Sequence, residues 1–197
     1  VCSSDLIGCF LLENAVRQAI DLRLNPVIVD KILNKFFGFP STGIFGLYDL
    51  IGHDVMRLIS ASLESSLPSR DRYHQILSSN HILKYMEEKK TLGRKSGKGF
   101  YMQEIIEGKK TLSYFDFSKM KYAPIQKMEL PDSIDSVLGH EDDYSIFFKN
   151  IFKEYLEYSN SLVPEVTKEP QDVDKAMKLG YGLEYGPFEL AGKLAKY

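Results

Sequence analysis

Several features are scarce in this sequence, and each absence excludes something. Only two of its 197 residues are cysteine, Cys2 and Cys9. They lie seven apart with no second pair, so neither a disulfide framework nor a zinc site is supported, and a reducing cytoplasm is the expected setting. No apolar run approaches the roughly 18 residues that a membrane-spanning helix needs. Charge of one sign is missing as well: 25 basic against 27 acidic residues leave a net of -2. That balance gives no field for holding nucleic acid, and any anionic ligand must be held locally. No G-x-G-x-x-G follows a hydrophobic strand, so a dinucleotide is not expected to bind this chain by itself.

What is present is the composition of a globular protein, 44% hydrophobic and 26% charged. For 22.5 kDa, mass scaling gives a folded surface of ~9,500 Å² against ~33,000 Å² for the extended chain. A core can therefore form without disulfides or metal. The length allows one large domain or two small ones.

Residues 1–6 read V-C-S-S-D-L, the translation of GTG-TGC-TCT-TCC-GAT-CT, a string similar to a DNA-sequencing adapter. The segment lacks the basic region and cleavage site of a secretory signal. It is therefore expected to be an artefact, with native sequence continuing upstream of Ile7, and is set aside from the fold reading. The C-terminus, which shows no obvious closing helix, is expected to be truncated.

Helical periodicity dominates the rest. Ile7, Phe10, Leu11, Ala15, Ala19 and Leu22 form a stripe, with Glu13, Arg17 and Asp21 off it. Asn25-Pro26 reads as a cap and first turn of a second helix that ends at Gly38. After a Gly/Pro loop, Leu47, Ile51, Val55, Leu58, Ile59 and Leu63 predict one long helix, and Ser79-Asn80 caps another that carries Ile82, Leu83 and Met86. Phe100–Ile106, Thr111–Phe117 and a stub near Tyr122 predict a small β-hairpin or meander. Residues 124–139 read as an extended linker. An aromatic helical stripe then runs from Tyr144 to Leu162, and Pro170 opens a further helix.

An internal repeat organises these elements. Val29-Asp30-Lys31-Ile32-Leu33 recurs as Val173-Asp174-Lys175-Ala176-Met177, an offset of 173 - 29 = 144, and Gly38 maps to Gly182 at the same offset. After a one-residue gap, Gly43-Ile44-Phe45-Gly46-Leu47 maps to Gly186-Pro187-Phe188-Glu189-Leu190. Each copy is preceded by an amphipathic helix, which suggests duplicated helical units packed on one another.

The segment from Asp174 to Gly182, followed by Gly186-Pro187-Phe188-Glu189-Leu190, resembles the C-terminal helical domain of the 3-hydroxyacyl-CoA dehydrogenases. Residues 38–52 resemble the same element in the multifunctional fatty-acid oxidation enzymes, and Gly93-Arg94-Lys95-Ser96-Gly97-Lys98-Gly99-Phe100-Tyr101 resembles that family's domain-ending signature. The resemblance implies a mainly α fold: two domains in tandem, each like the C-terminal domain of 6-phosphogluconate dehydrogenase, with a small β-hairpin between them. The expected limits are 7–103 for the first domain, 104–139 for hairpin and linker, and 140–197 for the second. Single-function relatives pair two such domains between chains, so tandem copies imply an intramolecular pseudo-dimer. The implied activity is oxidation of 3-hydroxyacyl-CoA to 3-ketoacyl-CoA in fatty-acid β-oxidation. The NAD and the catalytic His and Glu belong to an upstream Rossmann domain, so this chain is expected to be inactive alone and to carry no catalytic, cofactor or metal residues of its own. The resemblance also suggests an enoyl-CoA hydratase domain in the same polypeptide as a further partner. The family's substrate-orienting Asn-Arg pair falls where Asp5 and Leu6 stand here. That departure leaves open an alternative, a non-catalytic helical interaction module on the same scaffold.

Among individual residues, Arg94, Lys95 and Lys98 are the candidates for substrate binding, as cations on a glycine-rich loop that could clamp the phosphates of CoA. The competing reading is a solvated basic turn that places Phe100 and Tyr101 on the core. His53, with Asp49 and Asp54 nearby, is expected to be a surface or capping residue rather than a ligand. His140-Glu141-Asp142-Asp143 is expected to serve a helix N-terminus, and the aromatic stripe from Tyr144 to Tyr155 to be core.

Overall fold

The computed structural model describes residues 3–77, 80–106, 108–127, 129–163 and 168–196. Ten α-helices and three strands are present among them. Helices α1 (Ser3–Asp21), α2 (Pro26–Ile32), α3 (Gly43–Ile51), α4 (His53–Ser66), α5 (Tyr73–Ile76) and α6 (His81–Glu88) come first, α1 packing against α3 and α5. Strands β1 (Tyr101–Ile106), β2 (Lys109–Asp116) and β3 (Lys121–Pro124) form an antiparallel meander. Then come α7 (Ile134–Gly139), α8 (Asp143–Ser161), α9 (Pro170–Tyr181) and α10 (Pro187–Leu194). The folded surface is 10552 Å², somewhat above the scaling value, consistent with an outline cut by clefts.

Caps decide most helix ends. The Val27 N–H donates to the Asn25 side chain at 2.9 Å, and Pro26 opens α2. Asn80 accepts from Ile82 and Leu83, and Asp142 accepts from Ser145 at 2.9 Å, which accounts for the acid before α8. Ser79 lies outside the described residues. Helix α2 continues into a π-helical turn, Leu33–Phe37, that brings both Phe36 and Phe37 into the core. Gly38 then stops it at φ 82°, and its counterpart Gly182 stops α9 at φ 65°.

Four expectations change. The long helix over 47–63 is two helices, broken at Gly52, whose φ of 102° no helix permits. The reason is tertiary, because the loop around Leu92 enters the break and its carbonyl accepts from the His53 N–H at 3.3 Å. The linker over 124–139 contains α7, held by Val137 in the core and by Ser133 capping Ser136. Pro187–Leu194, where no helix was evident, forms α10, with Leu190 and Leu194 buried. Helix α1 starts at Ser3 rather than Ile7 and buries Leu6 to 5% exposure.

One continuous apolar cluster includes residues from α1 through α10. Helix α1 contributes Ile7, Phe10, Leu11, Leu12, Ala15, Val16, Ala19 and Ile20, and α8 contributes Phe147, Phe148, Ile151 and Tyr155, so the aromatic stripe is core. Because α1 is covered on nearly every side, Glu13, expected off the apolar stripe, is also buried, at 1% exposure.

Candidate functional site

Three polar centres are folded into this core. The first is Glu13, which accepts from Arg17 Nε at 2.9 Å, Ser60 Oγ at 2.6 Å and the Tyr48 hydroxyl at 3.2 Å. A buried carboxylate persists only when so supplied with donors.

The second centre closes the glycine loop. Asp49, at the end of α3, accepts from the Phe100 and Tyr101 N–H groups at 2.8 Å each and from His53 Nε2 at 2.8 Å. The loop approaches so closely that a Cβ on Gly93 would lie 2.2 Å from the Asp49 carbonyl oxygen, and one on Gly99 2.1 Å from its Oδ1. His53 is therefore not a surface residue. It is 5% exposed, its ring 4.6 Å from that of Phe100, with Nδ1 left without a protein partner. Its burial follows from the Gly52 break, which turns the first residue of α4 back onto Asp49. Among the described residues no group of three potential ligands gathers to hold a metal.

The third centre is Asp30. Its Oδ1 accepts from the Phe45 N–H at 3.0 Å and its Oδ2 from the Tyr101 hydroxyl at 2.7 Å. Burial pushes the Asp30 carboxyl up to about 7, against the opposing effect of these donors, and burial raises the Tyr101 hydroxyl as well. On α9, Asp174 Oδ1 accepts from the Phe188 N–H at 2.8 Å, and burial raises this carboxyl too. A Cβ on Gly43 would lie 2.1 Å from Asp30 Cγ, and one on Gly186 2.2 Å from Asp174 Cα. At both places, then, glycine lets the aspartate of one helix cap the next.

A cleft of about 890 Å³ opens beside Asp30, walled by α2, the start of α3, the glycine loop and the sheet. The basic candidates separate here. Arg94 lines the cleft, whereas Lys95 pairs with Asp54 across the Gly52 break and Lys98 is exposed without lining it. The hydrogen bond from Lys95 lowers the Asp54 carboxyl. The loop thus presents one cation to a concave surface, not three together. Lys31, Asp30, Asp49 and Tyr101 also line the cleft, and periodicity did not single them out. The recurrence of a Val-Asp-Lys run at 29–31 and 173–175 was the available signal.

The N-terminal and C-terminal segments meet through paired contacts. The Phe10 and Tyr158 rings stack at 4.0 Å, and the Asn14 amide donates to Glu154. The Glu184 N–H donates to the Gly38 carbonyl at 2.8 Å, and a Cβ on Gly182 would lie 3.5 Å from Pro40 Cγ.

The described residues do not fit NAD. Their sheet is an antiparallel meander without the parallel strand, glycine turn and helix that form a dinucleotide crevice.

A mainly helical protein with capped helix–glycine–helix units matches a known class. The chain superposes on a crystal structure of 3-hydroxybutyryl-CoA dehydrogenase from Escherichia coli K12 with a TM-score of 0.55 and 18% identity, covering 94% of this chain and 52% of that one. At that identity the likeness is one of fold. The family model for the 3-hydroxyacyl-CoA dehydrogenase C-terminal domain matches residues 6–103. The chain belongs to the 3-hydroxyacyl-CoA dehydrogenase family, and those residues carry its C-terminal domain. A Rickettsia felis protein provisionally named fatty acid oxidation complex trifunctional enzyme is 47% identical over 191 residues, 96% of this chain and 26% of the relative. A Bacillus subtilis protein provisionally named 3-hydroxyacyl-CoA dehydrogenase is 27% identical over 192 residues, 93% of this chain and 24% of the relative. The chain thus spans about a quarter of the length of these relatives. Among the described residues no helix is long and apolar enough to cross a membrane.

Proposed function

We propose that this chain is the helical, cleft-forming portion of a cytoplasmic NAD-dependent 3-hydroxyacyl-CoA dehydrogenase of fatty-acid β-oxidation. The observation that carries this reading is the 47% identity that runs through both repeats to a relative named for fatty acid oxidation. The dinucleotide domain lies upstream in this reading, and an enoyl-CoA hydratase domain shares the polypeptide. Acyl-CoA is the substrate, and the chain alone is inactive in this reading, since the described residues form no dinucleotide crevice.

The repeats act as a pseudo-dimer. In a two-fold contact, if residue i meets the partner's j, then j meets the partner's i. At the 144-residue offset, Tyr158 corresponds to position 14 and Glu154 to position 10, so Phe10–Tyr158 and Asn14–Glu154 form such a reciprocal pair. Glu184 and Gly182 correspond to 40 and 38, so Gly38–Glu184 and Pro40–Gly182 form a second.

The test is NADH formation from 3-hydroxybutyryl-CoA by the protein extended through its upstream region, followed at 340 nm. Turnover by the extended protein and none by residues 1–197 is expected. An extended protein that folds and binds NAD yet turns nothing over would overturn the proposal, and NAD reduction by the isolated chain would overturn its inactivity alone.

A further inference from the structure

We propose that the pocket walled by α1, α4 and α6 is a binding site for a small monoanionic carboxylate, its head held by the Asn80 amide and the Lys84 ammonium. The pocket is separate from the cleft beside Asp30: Asp49 borders that cleft, whereas its hydrogen-bond partner His53 borders this pocket. Its inner wall is polar and buried, with Glu13, Tyr48, His53 and Ser60 each at most 7% exposed. The volume of about 230 Å³ falls below the range of drug-sized and cofactor sites, so the occupant is a molecule of a few heavy atoms and not a coenzyme.

Two observations select the ligand. The first is an unused donor. Asn80 is only 8% exposed, and its side-chain oxygen is taken up in capping α6, where it accepts from the Ile82 and Leu83 N–H groups. Its NH₂ group has no partner among the described residues, although a buried amide is ordinarily satisfied on both sides. An acceptor is therefore the group that this wall lacks. The second observation is the charge around the pocket. Glu13 pairs with Arg17 at 2.9 Å and Glu87 with Arg57 at 2.7 Å, which leaves the exposed Lys84 as a cation without a carboxylate partner among the described residues. One uncompensated positive charge calls for a single negative charge, and a charge-assisted hydrogen bond from lysine supplies it with a fixed point. Leu77 and Leu83, both half-buried, complete the wall. They cover a short hydrocarbon stem, whereas they offer nothing to the further oxygens of a phosphate.

The test is a titration of ¹⁵N-labelled residues 1–197 with sodium propionate at constant ionic strength, read by NMR from the Asn80 side-chain amide and from the imidazole of His53 in the same wall. Saturable shifts of both are expected. Binding should be roughly tenfold weaker in K84A, the loss of one charge-assisted hydrogen bond. It should disappear in N80D and be unchanged in K98A, since Lys98 does not line the pocket. The N80D change keeps an oxygen to cap Ile82 and Leu83 while setting a carboxylate where the amide donor stood, so the start of α6 is retained. Inorganic phosphate should bind more weakly than propionate, and sodium chloride should give no saturable shift. Absence of saturation with propionate, parent-like binding by N80D or K84A, or an equal loss in K98A overturns the site, and phosphate binding as tightly as propionate overturns its assignment to a carboxylate. If far-UV circular dichroism shows N80D unfolded, K84A decides the matter, because Lys84 is exposed and its truncation leaves the core untouched. None of these outcomes bears on the dehydrogenase reading, which depends on turnover by the extended protein.

Discussion

Replacing Asp30 by asparagine isolates the charge of the buried helix cap from its shape. In the folded chain the Asp30 carboxyl titrates at about 7, against 3.8 for the free group, because burial penalises the ionised form more than its donors favour it. The folded state therefore holds this proton more firmly than the unfolded state. Below pH 4 both states are protonated and Asp30 adds no pH dependence. From there to about pH 7 the folded chain binds the extra proton, and stability falls by about 1.4 kcal/mol per pH unit as pH rises. Above about 7 the contribution is level. Between pH 5 and pH 8 the change attributable to Asp30 is thus up to ~3 kcal/mol. The asparagine amide retains an oxygen for the Phe45 N–H, and the Tyr101 hydroxyl can turn to accept from its NH₂ group. Urea unfolding followed by circular dichroism should therefore show D30N less stable than the parent at pH 5 but equal to it or more stable at pH 8. A difference between the two proteins that is constant across that range would refute the account of Asp30. D30A should cost ~2–4 kcal/mol at pH 5, since it removes the cap and leaves the buried Tyr101 hydroxyl without its acceptor.

Two further predictions concern the other polar centres. Gly93→Ala should lower stability by several kcal/mol, because its Cβ would lie 2.2 Å from the Asp49 carbonyl oxygen at a φ of 97°. Gly97→Ala should cost only ~1 kcal/mol, since at φ 77° it meets nothing within 4 Å; equal losses in thermal unfolding would show that the approach to Asp49 does not matter. Glu13→Ala should destabilise by ~3–5 kcal/mol by removing the buried acceptor shared by Arg17, Tyr48 and Ser60, and Glu13→Gln by less. Identical urea midpoints for those two variants would argue that the carboxylate acceptors are not what Glu13 supplies.

Much of the local structure was legible because its causes are local. Asn25, Asn80 and Asp142 cap helices with their own side chains over two or three residues, and Gly38 and Gly182 stop helices by adopting φ values that other residues resist. The glycine loop was legible for the same reason: it is a run of residues whose spacing is written in the chain. The basic loop was only half legible. Its glycines were read correctly as positioning Phe100 and Tyr101, but which cation faces a cleft depends on where Asp54 stands, and Asp54 belongs to another helix.

By itself, then, the sequence determined the helix starts and stops and the family that its motifs resemble, because these follow from neighbours in the chain. Only the tertiary structure decided that Glu13 and His53 are inside, that α3 and α4 part at Gly52, and that Arg94 rather than Lys95 borders a cleft. Each of those outcomes turns on a donor, carboxylate or wall contributed from many residues away: Ser60 for Glu13, the 92–100 loop for the Gly52 break, the sheet for the cleft. A side chain's periodicity reports the face on which it lies, not what the rest of the chain brings against that face.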